Sequence, residues 1–304
     1  PERILSIRGR FGKTPERGAG PSSLGNSDLK WESTAQLDIG YDLSLLKNRI
    51  GLTVDVYRKT TKNLLLKANI PYVTGFSSAY KNIGSIQNDG LEITLTTVNI
   101  NSNTFSWESN FNISFNKNKV LSLNQGEPFI LNSVSWDGNY SAPLYKTAVG
   151  GPAAGFWGIK WDGVYQYEDF DKNPDGTYTL KSSLPTNGNA RQNIYPGDIK
   201  YKDLNGDGTV DASDRTVIGR ALPIHTGGLG NDFGYKRFKL SVFFQWSYGN
   251  DIFNANRLYF EGGPDARPLQ NQFASYANRW TPTNPSNTMF RASAGSSPSS
   301  GAGP

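Results

Sequence analysis

The residues with the clearest potential for chemistry form one acidic loop, residues 203–214, with the sequence DLNGDGTVDASD. It matches the D-x-[DN]-x-[DN]-G pattern of calcium loops, in which oxygen ligands recur at alternate positions. Gly208 stands at the sixth position, where such loops turn sharply. The predicted metal ligands are Asp203, Asn205, Asp207, Asp211 and Asp214 through their side chains and Thr209 through its backbone carbonyl. Carboxylates this close together repel one another unless a cation neutralises them, so the sequence predicts a bound calcium ion.

Two features of this loop qualify its role. Position twelve carries Asp214, which is shorter than the bidentate Glu usual there. No amphipathic helix flanks the loop, so it is not a helix-paired calcium sensor. Extracellular calcium sites are weak, with dissociation constants of roughly 10⁻⁴ to 10⁻³ M, and the sequence therefore predicts a structural ion. The alternative is an Asx-rich turn that holds no ion.

Residues suited to catalysis are poorly placed. A glycosidase needs two facing carboxylates about 5 to 9.5 Å apart, whereas Glu168, Asp169 and Asp171 are neighbours in one acidic turn. The only histidine, His225, has no identifiable nucleophile or orienting partner. The absence of cysteine removes thiolate nucleophiles, thiolate metal sites and disulfides. We predict that the chain is not an enzyme.

Composition narrows the fold class. The 304 residues are only 19% charged and contain 33 glycines, while aromatic residues reach 12%. Disordered chains are poor in aromatic residues, and helical bundles are rich in Ala, Glu, Lys and Leu, so neither class fits. The net charge of +5 is scattered in both signs, without the clustered basic face that nucleic-acid binding requires. An all-β protein with long polar loops fits best.

Apolar and polar residues alternate along several segments, as they do in β-strands with one apolar face. The clearest segments begin at Leu5, Trp31, Ile50, Leu91, Phe105, His225 and Lys239. Their connections alternate in length: residues 44–48, 98–104 and 236–238 are short, whereas 13–30, 62–88 and 116–224 are long. Short turns at one end and long loops at the other are typical of a transmembrane β-barrel. A soluble β-sandwich is the alternative, although its connections are usually short.

Several segments resemble one family, the SusC-like TonB-dependent outer-membrane transporters of the Bacteroides phylum. Residues 26–34, NSDLKWEST, resemble its N-P-x-L-K-W-E-x-T segment, with Ser27 in place of the common Pro. Residues 82–92, NIGSIQNDGLE, are similar to its N-x-G-x-I-x-N-x-G-x-E segment. Further similar segments follow in the family's order: GFWG at 155–158, DGVYQ at 162–166, PGDIKYKD at 196–203, DRTVIG at 214–219, YGNDIFN at 248–254 and RWTP at 279–282. The family also carries the calcium-like loop.

The resemblance implies an antiparallel transmembrane barrel of about 22 strands, located in the cell outer membrane and closed inside by an N-terminal plug. A SusD-like surface lipoprotein covers such a barrel, and the pair imports glycans or peptides with energy passed on by TonB. On this reading residues 1–304 supply about seven strands of the C-terminal half of the barrel, contact outer-membrane lipid and bind no nucleic acid. Residues 116–224 form a long extracellular loop region that carries the loop at 203–214. The plug and the N-terminal domains lie outside the chain.

Aromatic residues crowd the long loop region and could stack on sugar rings. They are Trp136, Tyr140, Tyr145, Phe156, Trp157, Trp161, Tyr165 and Tyr167. We take Trp157, Trp161 and Tyr165 as candidate substrate-binding residues. The alternative, which we favour, is that these aromatics form the loop's own small core or contact the lipoprotein. A different function for the whole chain would be a calcium-stabilised secreted carbohydrate-binding or adhesion module.

Overall fold

The computed structural model describes residues 4–11, 14–21, 24–70, 72–123, 126–137, 140–261 and 271–292. The chain divides into two compact units. Unit 1 consists of Pro1–Ile130, Thr147–Ala153 and Pro223–Gly249. Unit 2 consists of Leu131–Lys146, Ala154–Leu222 and Asn250–Pro304.

The described residues are mainly β-strand. The strands are β1 Ile4–Phe11, β2 Thr14–Pro21, β3 Ser33–Leu45, β4 Ile50–Asn69, β5 Ser78–Asn101, β6 Phe105–Ser122, β7 Phe129–Asp137, β8 Tyr140–Ala148, β9 Gly155–Ile159, β10 Trp161–Val164, β11 Phe170–Lys172, β12 Tyr178–Leu180, β13 Ile199–Tyr201, β14 Arg215–Arg220, β15 His225–Tyr235 and β16 Phe238–Tyr248. One short α-helix, α1 Asn256–Phe260, and several single 3-10 turns complete the list. None of the helices in these ranges is long and apolar enough to cross a membrane.

Unit 1 is built on an open six-stranded antiparallel sheet with the order β16-β15-β6-β5-β4-β3. β1 and β2 form a separate antiparallel hairpin. Tight turns join β3 to β4 and β15 to β16, and residues at positive φ make both: Leu46, Lys47 and Asn48 in the first turn and Lys236 in the second. Such φ values let the chain reverse within a few residues.

The register of this sheet separates an apolar face from a polar face, because residues paired across neighbouring strands point to the same side. One cross-strand row contains Leu43, Leu52, Leu95, Phe111, Leu229 and Phe244. The adjacent row on the opposite face contains Asp42, Thr53, Thr94, Asn112, Gly228 and Gln245. Much of the apolar face is exposed among the described residues of unit 1: Leu37, Ile39 and Phe244 are 64%, 65% and 61% exposed.

Gly90 shows how the sheet accommodates a large side chain on its polar face. Gly90 pairs with Tyr57 across β4 and β5. A Cβ atom at Gly90 would overlap the Tyr57 ring, so the ring occupies the space that a side chain at position 90 would need. This contact gives a physical reason for glycine at position 90 within the NIGSIQNDGLE segment.

Two of the connections that the sequence predicts to be long contain more strand than expected. The 13–30 connection contains β2, and the 62–88 connection is mostly strand, since β4 runs to Asn69 and β5 begins at Ser78. A β-bulge explains the second error: Asn63 has φ +58 and shifts the register between Lys62 and Leu65, which ends the strict alternation. The third connection, 116–224, stays long, since β6 ends at Ser122 and β15 begins at His225, and it contains strands β7 to β14.

Unit 2 contains several small sheets. The largest has the strand order β14-β9-β8-β7. Two further two-stranded sheets pair β10 with β13 and β11 with β12. Phe170 of β11 and Leu180 of β12 form a buried cluster with Tyr165 and Ile194.

Candidate functional site

The buried cluster of unit 2 lies where three of the sequence segments meet, namely DGVYQ, PGDIKYKD and RWTP. Tyr165 is fully buried, and its ring meets Phe170 edge-on with the ring centroids 6.1 Å apart. The Tyr165 hydroxyl donates a hydrogen bond to the carbonyl of Pro185 at 2.6 Å. Burial raises the pKa of the Tyr165 hydroxyl, which therefore stays protonated and able to donate. Tyr165 has no surface open to a substrate, so the structure makes it a core residue and not a binding residue.

A buried ion pair lies beside this cluster. Arg291 Nε donates to Asp198 Oδ1 at 2.6 Å, and the two side chains are 23% and 2% exposed. The other carboxylate oxygen of Asp198 accepts from the backbone N–H of Tyr195 at 2.9 Å. Burial raises the pKa of Asp198 and outweighs the opposing effect of Arg291. The pair joins two parts of the chain that are 93 residues apart.

Trp280, in the RWTP segment, packs onto the same region and is 5% exposed. Its indole N–H donates to Gln166 Oε1 at 2.9 Å, and its ring lies 5.4 Å from that of Tyr167. Gly197 lies against the indole with φ +92, and a Cβ there would be 2.5 Å from Trp280 Cε3. Gly197 is therefore required both by its backbone conformation and by the close approach of Trp280.

The calcium-like loop is connected to this core through its own backbone. Thr186 N–H donates to the Gly208 carbonyl at 3.0 Å, and Val210 N–H donates to the Thr186 carbonyl at 3.1 Å. Val210 is fully buried, and so is the neighbouring Asn187, whose amide donates to the Ile199 carbonyl at 2.8 Å. The loop is therefore fixed at one side while its tip remains exposed.

Inside the loop, the acidic side chains accept hydrogen bonds from backbone N–H groups. Asp203 accepts from Gly206 at 2.7 Å and from Gly208 at 2.8 Å. Asp214, which is fully buried, accepts from Leu204 at 2.7 Å and, through its second oxygen, from Asp211 at 2.8 Å. A carboxylate can satisfy both oxygens in this way without an ion.

The fit of this loop to calcium is therefore partial. Its oxygen atoms are those that calcium prefers, and Gly206 and Gly208 have the positive φ values, +76 and +82, that a tight loop needs. Asp214 is a buried carboxylate, and buried charges are normally paired or coordinate a metal. However, no group of three His, Cys, Asp or Glu side chains is arranged to hold a metal within the described residues. The calcium site stays a prediction.

The remaining aromatic candidates differ in exposure. Trp161 is 42% exposed, whereas Trp157 is half-buried and lies under the ammonium group of Lys146, with Nζ 3.7 Å from the ring centroid. Tyr145 and Phe156 pack on each other at 5.1 Å. The side chains of Trp136 and Tyr140 lie outside the described residues. Of the three substrate-binding candidates, Trp161 presents the largest open surface.

The candidate catalytic residues are engaged in structural contacts. Asp169 accepts a hydrogen bond from the Gln166 backbone at 2.9 Å and so caps a 3-10 turn. His225 lies in the sheet of unit 1 between the rings of Phe115 and Tyr248, at 5.5 and 5.0 Å. The His225 ring accepts a hydrogen bond from the indole N–H of Trp246 at 3.2 Å. The contacts of Asp169 and His225 are therefore those of residues that stabilise the fold.

Sequence reasoning missed the residues that hold unit 2 together, namely Gln166, Asn187, Asp198, Asn287 and Arg291. Asn287 accepts from the Val164 backbone at 2.9 Å, and Gln166 donates to the Ser286 carbonyl at 3.1 Å. Gln166 and Asp198 stand in the DGVYQ and PGDIKYKD segments, but the contacts that join Gln166 to Trp280, Asp198 to Arg291 and Asn287 to Val164 span 114, 93 and 123 positions. Contacts between residues so far apart in the sequence leave no pattern in either local segment.

Comparison with known proteins identifies a family that matches most of the chain. The family described as "TonB dependent receptor-like, beta-barrel" matches residues 5–294. The chain is similar to TonB-dependent receptor P3 of Formosa agariphila, at 34% identity over 283 residues, which are 93% of this chain and 26% of that protein. It is also similar to TonB-dependent receptor SusC of Bacteroides thetaiotaomicron, at 28% identity over 249 residues, 80% of this chain and 22% of that protein.

Among solved structures, the chain is similar to the RagAB peptide transporter, with a TM-score of 0.71 and 22% identity. The match covers 97% of this chain and 29% of that one. The RagAB peptide importer in its open-open state matches with a TM-score of 0.67. At 22% sequence identity, this similarity shows a shared fold alone. The chain spans about a quarter of the length of the curated relatives it matches.

Proposed function

The chain belongs to the TonB-dependent receptor-like β-barrel family, and on that basis we propose that it forms part of an outer-membrane importer of the SusC type. Unit 1 supplies barrel wall, and unit 2 supplies the structured extracellular region. Family membership confirms three predictions from the sequence: the SusC-like resemblance, the all-β barrel fold class and the outer-membrane location. The relatives are receptors, in agreement with the prediction that the chain is not an enzyme.

The observation that carries the proposal is the two-faced sheet of unit 1. β15 has 11 residues, so at about 3.4 Å per residue and a tilt of about 45° it rises roughly 25 Å, which is the height of the apolar band of outer-membrane barrels. Its apolar side continues across six strands, whereas the other face carries residues such as Asp55, Glu92 and Ser114 in one row. This arrangement supports lipid on one side and water on the other. A secreted module would leave the same apolar surface exposed to solvent.

Unit 2 supports a role in contacts outside the membrane. The surface of unit 2 includes the aromatic residues Trp161 and Tyr195, which are 42% and 46% exposed. We propose that this surface contacts a SusD-like lipoprotein and the imported molecule, an oligosaccharide or a peptide. Exposed aromatic rings suit both, because they offer large rigid surfaces for stacking. Energy would come from TonB through parts of the protein outside this chain.

A structural calcium ion in residues 203–214 is a further part of the proposal. Asp203, Asn205, Asp207, Asp211, Asp214 and the Thr209 carbonyl would hold it. Asp207 and Asp211 are exposed, so their side chains can turn towards an ion without disturbing the core. The ion would fix the exposed tip of a loop whose base is already held by Thr186.

The proposal is tested in cells that carry the full-length protein and its lipoprotein partner. Residues Ala154–Leu222 are replaced by a flexible Gly-Ser linker, and uptake of labelled glycans and peptides is measured. We expect uptake to be lost while the barrel still assembles, which heat-dependent gel migration reports. A Tyr165→Phe variant, which keeps the core ring, serves as the control and should retain uptake. Unchanged uptake after the deletion would contradict the proposal.

A further inference from the structure

Along strands β3 to β6 of unit 1, the apolar side chains of one face give way to basic side chains towards the end of the sheet that lies away from the β3–β4 turn. On strands β3 to β6, the last cross-strand row with only apolar side chains on this face contains Ile39, Val56, Leu91 and Phe115. The next row on the same face contains Leu37, Arg58, Asp89 and Lys117. The following rows contain Ala35, Thr60, Gln87 and Lys119, and then Ser33, Lys62, Ser85 and Ser122. We call Arg58, Lys62, Lys117 and Lys119 the basic collar.

The basic collar is accessible and carries a net positive charge. All four of its cations are exposed. Asp89 is the only acid in these three rows, and Arg58 pairs with it at 2.7 Å while remaining 64% exposed. Three positive charges are therefore left over. Residues two apart on a strand are separated by about 7 Å, so Lys117 and Lys119 can reach the same anionic group or two adjacent ones.

The position of the collar indicates its partner. It continues the apolar face and lies at the end of the sheet away from the tight β3–β4 turn, with β4 and β5 extending beyond it. Lysine and arginine at the edge of an apolar surface keep their stems on that surface and extend their charged ends into the headgroup layer. Phosphate is the anion that such cations meet in a lipid headgroup.

We propose that the basic collar binds the phosphate groups of anionic lipids in the membrane leaflet on the long-connection side of the barrel. This inference rests on the proposed location of unit 1 in a bilayer. The charges are complementary, and the collar faces the same side as the surface assigned to lipid. Binding would fix the height of the barrel in the membrane, and the headgroup phosphates would compensate the three unpaired charges.

The opposite face offers a matched control. Lys59 follows Arg58 directly and pairs with Gln36 and Asn88 on the polar face, and Lys239 pairs with Gly234 on that face. Both lysines are exposed. Lys59→Gln with Lys239→Gln therefore removes the same charge as Lys117→Gln with Lys119→Gln, but from the side away from lipid.

The test titrates lipid A, which carries two phosphates, against the detergent-solubilised full-length protein and measures bound lipid by native mass spectrometry. We expect Lys117→Gln with Lys119→Gln to weaken binding about fivefold for each lysine removed. The control pair should stay within about twofold of the parent, given the usual small effect of uncoupled surface charges. Equal losses in both double variants, or equal binding of phosphatidylethanolamine by the parent, would overturn the proposal.

Two further outcomes separate the alternatives. Inorganic phosphate that displaces lipid A at an equal phosphate concentration would indicate a free-phosphate site and overturn the lipid proposal. Reconstitution into nanodiscs distinguishes this inference from the proposed function. A protein that inserts but shows no lipid preference contradicts only the collar, whereas a protein that fails to insert contradicts the membrane assignment itself.

Discussion

Asp198 and Arg291 form a nearly buried ion pair in which Nε and Oδ1 are 2.6 Å apart. The pair connects the PGDIKYKD segment with the residues that follow RWTP, and a backbone hydrogen bond from Arg291 N–H to the Gly197 carbonyl at 2.8 Å runs beside it. PGDIKYKD and RWTP are separate segments of the family resemblance in the sequence. Their contact explains why they occur together: they form two sides of one small core.

Removal of Arg291 should destabilise unit 2 strongly. Arg291→Met leaves Asp198 buried without its cation, which costs about 3–5 kcal/mol in such pairs. Asp198→Asn with Arg291→Met should recover much of the loss, because no unpaired charge remains. Hydrogen exchange of residues 195–201 in the full-length protein measures both effects. Equal exchange in the single and double variants would contradict this account.

The penalty in Arg291→Met should depend on pH. Burial already raises the pKa of Asp198, and loss of Arg291 removes an interaction that lowers it, so the pKa should rise further. A carboxyl whose folded pKa lies above its unfolded pKa, about 3.9, contributes stability below that value and loses it as pH rises through the folded pKa. The variant should therefore be closer to the parent at about pH 4 than at pH 7. A loss of stability in Arg291→Met that grows towards acid pH would contradict the predicted direction of the pH dependence.

Gly197→Ala should be more damaging than an alanine at another glycine with positive φ. Both carry the strain of the left-handed conformation, about 1–2 kcal/mol. Only Gly197 also meets Trp280, and overpacking adds about 1–3 kcal/mol. Gly176→Ala is the matched control, since its φ is +84 and nothing lies within 4 Å of a Cβ there. Thermal unfolding followed by tryptophan fluorescence compares the two; equal losses would show that the Trp280 contact is unimportant.

Calcium should stabilise unit 2 if residues 203–214 bind it. With a dissociation constant of about 10⁻⁴ to 10⁻³ M, 10 mM calcium would add roughly 1.4–2.7 kcal/mol, and chelator should remove it. Asp207→Asn should abolish most of this shift, whereas Asp175→Asn, an exposed acid in a different turn, should not. Parallel melts with calcium and with chelator measure the shift. Identical melts would identify the loop as an ion-free Asx turn.

Trp161 should affect uptake more than Tyr165 does. Trp161→Ala removes an exposed ring, and the loss of one stacking contact of about 0.5–1.5 kcal/mol corresponds to roughly two- to tenfold weaker substrate binding. Tyr165→Phe removes only the hydrogen bond to Pro185 and should lower stability by about 0.5–1.5 kcal/mol without changing binding. Binding of candidate glycans and peptides to the complete transporter tests the pair. A larger binding defect in Tyr165→Phe would reverse the assignment.

The sequence predicted the sheet of unit 1 because alternation is a local signal. His225–Tyr235 appears as expected, and the following strand begins one residue earlier, at Phe238. The alternation of apolar and polar residues ends at Asn63, where a bulge precedes three consecutive leucines, so the pattern does not predict the end of β4. The family was recognisable because its short segments keep their order.

Unit 2 was less predictable for a physical reason. Its core is made by pairs such as Gln166 with Trp280, 114 residues apart, and such contacts leave no periodic trace. The acidic loop was found because its ligand spacing is local. Tyr165 is buried, as the favoured alternative of a small loop core expected, whereas Trp161 is exposed. The sequence could not separate the two, because an aromatic side chain gives the same local pattern whether it is buried or exposed.

The central claim, that the apolar face of unit 1 contacts lipid, is tested most directly by spin-label accessibility. In the full-length protein on a cysteine-free background, Tyr41→Cys, Ile39→Cys and Phe244→Cys are labelled, together with Asp38→Cys and Gln245→Cys from the polar face. After reconstitution into bilayers, collisions with oxygen and with a water-soluble nickel complex are measured. The account predicts oxygen access at the first three positions and nickel access at the other two. Nickel access at all five positions would contradict it.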